Sequence, residues 1–397
     1  MVGAGRPSTT FLAFVQGTGA RRDVDGRPAP SMRQTRGVGS RAESSILEVD
    51  LPTIVANWRK LRALHGGDTA SVVKADAYGL GAARVAPALH AAGCGHFFVA
   101  HLSEALAIRA LLPGAMLAVL NGSPLGAEEE FARRDIDPVL GSLDEIARWA
   151  ACARQLGRVL PALLHIDTGM NRLGLDRREL ATLQQNHALL DGISVRYILT
   201  HLVSSEVAAD PLNMAQLRRF DEACATLPPA PRSVANSSAI FLGANWRSDL
   251  ARPGAALYGI NPTPRQSNPM HAPMRLRARV LQVREVPPGE SVGYNATFHA
   301  PGARRIATAG IGYADGWKRA LSGRGYAHFD GSPVPLVGRV SMDLTTYDVT
   351  DSPDLAVGDW LELIGPGITV DTVADWAGTN GYEILTSLGG RIARVYH

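Results

Sequence analysis

The sequence predicts an α/β protein, a (β/α)8 barrel of the TIM type followed by a smaller, mostly β domain. Three observations carry this expectation. Between about residues 46 and 262, short apolar runs alternate with longer amphipathic ones, the pattern of a parallel sheet covered by helices. That stretch suits eight strand–helix units, and no Gly-x-Gly-x-x-Gly follows a strand in it, which weighs against an open doubly wound sheet. Residues 261–273 then gather Pro, Asn and Ser like a linker, and beyond them the texture changes to short strand-like runs broken by Gly, Pro and Asp. The expected divisions are a disordered tail at 1–44, the barrel at 45–265 and the β domain at 266–397.

Residues 1–44 are rich in Gly, Arg, Ser and Pro and show no periodicity, hence the tail. A targeting peptide and a start at Met32 are the other readings of this stretch. In the barrel, residues 70–73 (Ala-Ser-Val-Val) read as a buried strand, because β-branched side chains pack well on a pleated sheet. Gly79 and Gly81 break that strand, and helical periodicity starts at Ala82. Further strands are expected at 96–100, 116–120, 160–166 and 195–199, with helices at 103–112, 143–156, 178–190 and 214–227. Ser103 is placed to cap the first of these helices, and Leu143, Ile146, Ala147, Ala150 and Ala151 form one apolar face of the second. In the β domain, strands are expected at 276–286, 305–310, 334–340, 344–349, 360–364 and 391–396.

Composition narrows the function classes. The 397 residues carry 40 Lys+Arg against 37 Asp+Glu, and a net charge of +3 argues for neither nucleic acid nor membrane as partner. Much of the excess lies in the tail. Cys94, Cys152 and Cys224 are far apart and odd in number, so neither a disulfide framework nor a metal knuckle follows, and a reducing cytoplasm suits them. No segment reaches the roughly 20 apolar residues that cross a bilayer. The apolar run Phe11-Leu12-Ala13-Phe14-Val15 is short for a signal-peptide core.

The chemistry concentrates where strands end. Ser71-Val72-Val73-Lys74-Ala75-Asp76-Ala77-Tyr78-Gly79-Leu80-Gly81 sets one lysine between an apolar strand and a tight turn, at the barrel end where catalysis occurs. Desolvation lowers a lysine pKa, and an amine so tuned forms Schiff bases with carbonyl compounds. Tyr78 brings a hydroxyl near whatever Lys74 holds. Arg172, after His165-Ile166-Asp167-Thr168-Gly169-Met170-Asn171, offers a fork for a carboxylate or phenolate. His201 ends another strand at Leu199-Thr200, and Ala235-Asn236-Ser237-Ser238 presents hydroxyls and amides to an anion. Arg252-Pro253-Gly254-Ala255 joins a cation to a glycine that lets backbone approach a ligand. Each of these alone also fits a surface charge, a structural hydrogen-bonder or a helix cap.

The decamer from Val72 to Gly81 closely resembles the pyridoxal-phosphate lysine motif of alanine racemases, and six blocks in the family's order extend the resemblance over roughly residues 46–397. The resemblance implies pyridoxal 5'-phosphate as cofactor, L- and D-alanine as substrates, D-alanine supply for peptidoglycan, and a homodimer with shared sites. It implies Lys74 as cofactor lysine and one base, and Tyr294, in Gly293-Tyr294, as the base on the opposite face. Arg172 is implied at the phenolic oxygen and substrate carboxylate, His201 against the ring and Arg252 at its nitrogen. Tyr78, Ser237, Gly254, Ala255 and Tyr382, with Asn236 beside them, are implied around the phosphate. Met342 and Asp343 are implied near the substrate, while Tyr313 and Arg339 line the access channel. Tyr294, Met342 and Asp343 are expected from the partner subunit, so activity needs a dimer.

Two physical consequences follow. An arginine keeps its proton, so beside the ring nitrogen it makes a weaker electron sink than a carboxylate would, which suits racemisation over transamination. Tyrosine's ordinary pKa of about 10 means that Tyr294 needs cationic help to act as a base. One departure from the family is His165, which stands where a carbamylated lysine is frequent. A cationic imidazole there would repel Arg172, so His165 is expected to be neutral and to orient Arg172 through water or a captured chloride. A broad-specificity racemase on the same scaffold is the nearest alternative. A β-domain decarboxylase of this type has a carboxylate where Arg252 falls, and a non-catalytic pyridoxal-phosphate carrier lacks the β domain with its Gly293-Tyr294 block.

Overall fold

A computed structural model describes residues 43–397, so the expected tail lies outside the described residues but for its last two. The first barrel strand is built from Asp68–Thr69 and Ser71–Val72. His96–Val99, Met116–Val119, Asp137–Leu140, Leu160–His165, Ile193–Leu199 and Arg232–Ser233 follow in parallel order, each paired to the one before. Leu250–Ala251 is the eighth strand and closes the ring. It pairs with Asp68–Thr69, while the Arg252 amide donates to the Ala235 carbonyl at 2.8 Å on its other side. Met116-Leu117-Ala118-Val119 is buried throughout, as expected of a parallel strand covered on both faces.

Helices wrap this ring, and their ends follow local chemistry. The helix Leu51–His65 starts where the Asp50 carboxylate accepts from the Thr53 amide at 3.0 Å, and stops at Gly66 with φ 77°. Leu143–Leu156 has the expected bounds, capped by Ser142. Ser103, expected as a cap, lies one residue inside its helix Leu102–Ile108. The Glu104 carboxylate reaches back to the Ala100 and His101 amides at 2.8 and 3.0 Å and so fixes the start at His101.

The second half is organised by one 13-residue strand, Met274–Val286. Its first part pairs with Trp360–Ile364, its last part with Arg304–Ala309. Thr345–Asp348, Ser332–Val337 and Tyr326–Phe329 complete a closed six-stranded ring, and the shift of register between Val280 and Gln282 lets the long strand serve both neighbours. Ser45–Val49 corrects the expected division. The expected division puts this strand at the start of the barrel, but it pairs antiparallel with Met274–Val286 and parallel with Ala393–Tyr396. A strand there keeps Ile46, Leu47 and Val49 inside the second sheet, with one apolar core running through both halves. No helix among the described residues is long and apolar enough to cross a membrane.

Candidate active site

Lys74 follows the first barrel strand at its carboxyl end, where the chain makes an uncommon turn. Ala75, Asp76, Ala77 and Tyr78 all take left-handed backbone angles, φ 51–56°. Each such residue costs on the order of 1–2 kcal/mol, so neighbours must hold the turn in place. The Ala75 amide donates to Glu104 Oε1 at 2.5 Å, and Asp76 Oδ1 accepts from the Ala82 amide at 2.7 Å. The two glycines of the motif face the second half of the chain. A Cβ on Gly79 would collide with the Leu385 carbonyl, and one on Gly81 with the Tyr396 hydroxyl. Burial, then the charge of Arg172, hold the Lys74 ammonium below the ordinary lysine range, with Glu104 opposing.

Arg172 leaves the fifth strand on a loop shaped by Asp167. Asp167 Oδ1 accepts from the amides of Gly169, Met170 and Asn171 at 2.8–3.2 Å, and a Cβ on Gly174 would press on the Asp167 amide. Arg172 is exposed at the mouth, yet its charge bears on Lys74, His165 and His201. Burial comes first and Arg252 second in lowering His165 to about 4 and His201 to about 3, so both imidazoles are neutral at pH 7. Buried Arg252 donates to Ser233 Oγ at 2.6 Å and to the Thr200 carbonyl at 2.7 Å. Burial lowers it to about 10, which still leaves a cation.

On the other side of this group, hydroxyls and a glycine turn converge. A Cβ on Gly254 would strike the Tyr78 hydroxyl, so only glycine admits both. Ser237 Oγ accepts from the Gly254 and Ala256 amides at 3.0 and 3.2 Å, which ties Ala255 into the same turn. Asn236 Oδ1 accepts from Ser205 Oγ and the Ala239 amide, both at 3.0 Å. Tyr382, on the helix Gly381–Ser387, sets its ring 6.2 Å from that of Tyr78. The hydroxyl protons of Tyr78, Ser237 and Tyr382 and the cleft that glycine keeps open fit a phosphate, and the adjoining lysine and arginines fit an aromatic aldehyde with an anionic oxygen.

The β-half residues stand apart as one exposed patch. Tyr294 is 69% exposed, Met342 54% and Tyr313 43%. Their loops are tied together. The Tyr313 amide donates to the Ser341 carbonyl at 3.0 Å and the Ala314 amide to that of Met342 at 2.9 Å, where a Cβ on Gly312 would not fit. A Cβ on Gly293 would lie 3.4 Å from the Arg339 amide. Asp343 pairs with Arg391 at 2.8 Å, and Arg391 pairs in turn with buried Asp315 at 2.9 Å. Among the described residues nothing covers Tyr294.

Comparison with known proteins decides the family. Residues 49–262 match the alanine racemase N-terminal domain and residues 273–396 the alanine racemase C-terminal domain. The chain belongs to the alanine racemase family. It is 55% identical to the alanine racemase of Acidiphilium cryptum over 349 residues, 88% of this chain and 98% of that one. It is 51% identical to that of Methylobacterium nodulans, over 88% and 95%. Among solved structures it resembles the alanine racemase of Bartonella henselae with covalently bound pyridoxal phosphate. There the TM-score is 0.86 at 43% identity, covering 89% of this chain and 99% of that one.

Within this racemase fold the structure adds residues that the motifs do not announce. Glu104 holds the lysine turn from the next strand–helix unit. Ser233 and Thr200 take both ends of the Arg252 guanidinium. Gln216 donates to Thr168 Oγ1 at 3.1 Å and to the His201 carbonyl at 3.0 Å, which joins the Arg172 loop to the His201 strand end. Glu206 accepts from the Tyr382 hydroxyl at 3.2 Å. All act on residues distant in sequence, so none is announced by a local pattern.

Proposed function

We propose that the protein interconverts L- and D-alanine on pyridoxal 5'-phosphate carried by Lys74, with Lys74 and the partner subunit's Tyr294 as the two bases. The observation that carries this reading is the convergence on Lys74 of Arg172, neutral His201, buried Arg252 and the Tyr78–Ser237–Gly254 cleft, within a racemase fold. The bound cofactor supplies the electron sink that lets the α-proton of alanine leave. Lys74 Nζ, depressed by burial, has a larger unprotonated share with which to take or return that proton on one face. Tyr294 Oη serves the opposite face, since inversion needs one group on each side. Arg172 grips the substrate carboxylate from the mouth, and Met342, Asp343 and Tyr313 line the substrate's side. Arg252 would hold the ring nitrogen as a donor. His201 would pack on the ring as a neutral support, and Tyr78, Asn236, Ser237, Gly254, Ala255 and Tyr382 would surround the phosphate.

The exposure of Tyr294, Met342 and Tyr313 supports a homodimer that buries this patch over a second barrel mouth. We place the activity in the cytoplasm, where it would supply D-alanine for peptidoglycan. The test is to incubate the protein with L-alanine and measure D-alanine by chiral chromatography. Borohydride should also fix the cofactor to Lys74, and label on another lysine contradicts the assignment. Tyr294→Phe should slow solvent deuterium exchange into L-alanine by about 10²–10⁴-fold and into D-alanine far less. Unchanged exchange from L-alanine removes Tyr294 from the reaction.

A further inference from the structure

Tyr382 is implied as a phosphate ligand, but its hydroxyl already has an acceptor. It donates to Glu206 Oε1 at 3.2 Å. Glu206 lies in the turn segment between the His201 strand end and the helix Pro211–Ala225, is exposed, and pairs with no cation among the described residues. A phenol carries a single proton and can donate to one acceptor at a time. The Tyr382 ring lies at 43° to that of Tyr78 with centroids 6.2 Å apart, and the Tyr382 backbone carbonyl accepts from Thr386 Oγ1 at 2.8 Å. Asp371, whose carboxylate accepts from the Asn261 amide at 3.0 Å, adds a second negative charge nearby. Burial, then Glu206 and Tyr78, raise the phenol well above the ordinary tyrosine range, so it remains a donor and never a phenolate at working pH.

We propose that Glu206 competes with the cofactor's phosphate for the single hydroxyl proton of Tyr382, and so weakens cofactor binding. This rests on the reading above that Tyr382 serves the phosphate. Glu206 is a positioning residue that acts through Tyr382: when the proton turns to the phosphate, the carboxylate must give up its donor to water. Replacing Glu206 frees the hydroxyl, and a charge-assisted hydrogen bond at an exposed site makes this worth roughly three- to tenfold in affinity.

The test is equilibrium binding of pyridoxal 5'-phosphate to the full-length protein, read by cofactor absorbance. Native protein is compared with Glu206→Ala, Tyr382→Phe and the double variant, with pyridoxal as a phosphate-free probe. Glu206→Ala should tighten pyridoxal 5'-phosphate about three- to tenfold, leave pyridoxal unchanged, and have no effect once Tyr382 is Phe. Weaker or unchanged binding in Glu206→Ala overturns the proposal. Tightening that persists with Tyr382→Phe also overturns it, because bare charge repulsion would then be the cause. If Tyr382→Phe leaves the affinity for pyridoxal 5'-phosphate unchanged in the Glu206→Ala background, where no carboxylate competes, Tyr382 does not hold the phosphate, and the underlying reading fails first.

Discussion

At the scale of single residues, the departure at His165 has a physical resolution. An anionic side chain beside Arg172 would hold it by attraction. A buried imidazole flanked by Arg252 and Arg172 instead titrates near 4, so at pH 7 it neither attracts nor repels. Activity should therefore be unchanged in carbon-dioxide-free buffer. His165→Ala combined with Arg172→Ala should lose less activity than the two single losses added, because both act on one guanidinium position. Restoration of a lost activity by bicarbonate, or full additivity in the kinetic cycle, contradicts this. Lys74, Arg172 and Arg252 were each legible as candidates from strand-end position and residue type. Which atoms they face was not, because Glu104, Ser233 and Thr200 come from other strand–helix units and leave no local pattern.

At the scale of elements, regular periodicity was legible and irregular backbone was not. The helix Leu143–Leu156 and the strand Trp360–Ile364 have the expected bounds, since apolar spacing alone defines their buried faces. Asp137–Leu140 and Tyr326–Phe329 have weak sequence signals, because a proline interrupts the first and the second is only four residues between Gly325 and the Asp330-Gly331 turn. The helices Val370–Ala377 and Gly381–Ser387 lie in a region read as strands and turns, though Thr369 and Asn380 cap them with side-chain oxygens. Ser45–Val49 joins the second sheet although it precedes the barrel, because sequence order says nothing about which sheet an N-terminal strand pairs with. The left-handed turn after Lys74 is the clearest case. Its glycines signal a break, but the four consecutive non-glycine residues at positive φ depend on Glu104 from the next strand–helix unit as well as on local bonds such as that from the Ala82 amide to Asp76. Gly79→Ala tests this directly. Gly79 has φ 84° and its missing Cβ faces the Leu385 carbonyl, so the substitution should cost more than the roughly 1 kcal/mol of an ordinary left-handed glycine site. The expected result is a lower Tm together with weaker cofactor retention, and an unchanged Tm would show that the turn carries no such constraint.

At the scale of the whole molecule, buried titratable groups give stability a pH dependence. His165 and His201 are depressed to about 4 and about 3, so between their folded values and the ordinary 6.5 the unfolded chain binds more protons. Stability from them is present above pH 6.5 and is lost on acidification, by up to about 1.4 kcal/mol per pH unit for each group. His65 and His96 are also lowered and act in the same direction. Asp137 acts in reverse. Burial raises it to about 6, so the folded chain binds more protons between pH 3.8 and 6, and stability falls as pH rises through that window. Arg196 approaches it at 3.0 Å without the geometry of a hydrogen bond and does not offset the burial. Asp137→Asn should thus raise stability at pH 7 and steepen the fall between pH 6 and 4, measured by urea unfolding. Lower stability at pH 7 would show that the ion pair outweighs its desolvation. The central claim, that each site takes Lys74 from one chain and Tyr294 from the other, is tested most directly by mixing two inactive variants. Lys74→Ala and Tyr294→Phe chains, unfolded and refolded together, form mixed dimers with one intact site each if sites are shared. The account predicts that the mixture regains racemase activity up to about a quarter of native, set by half the dimers being mixed and half their sites intact. A mixture as inactive as either variant alone, with mixed dimers present, would contradict it.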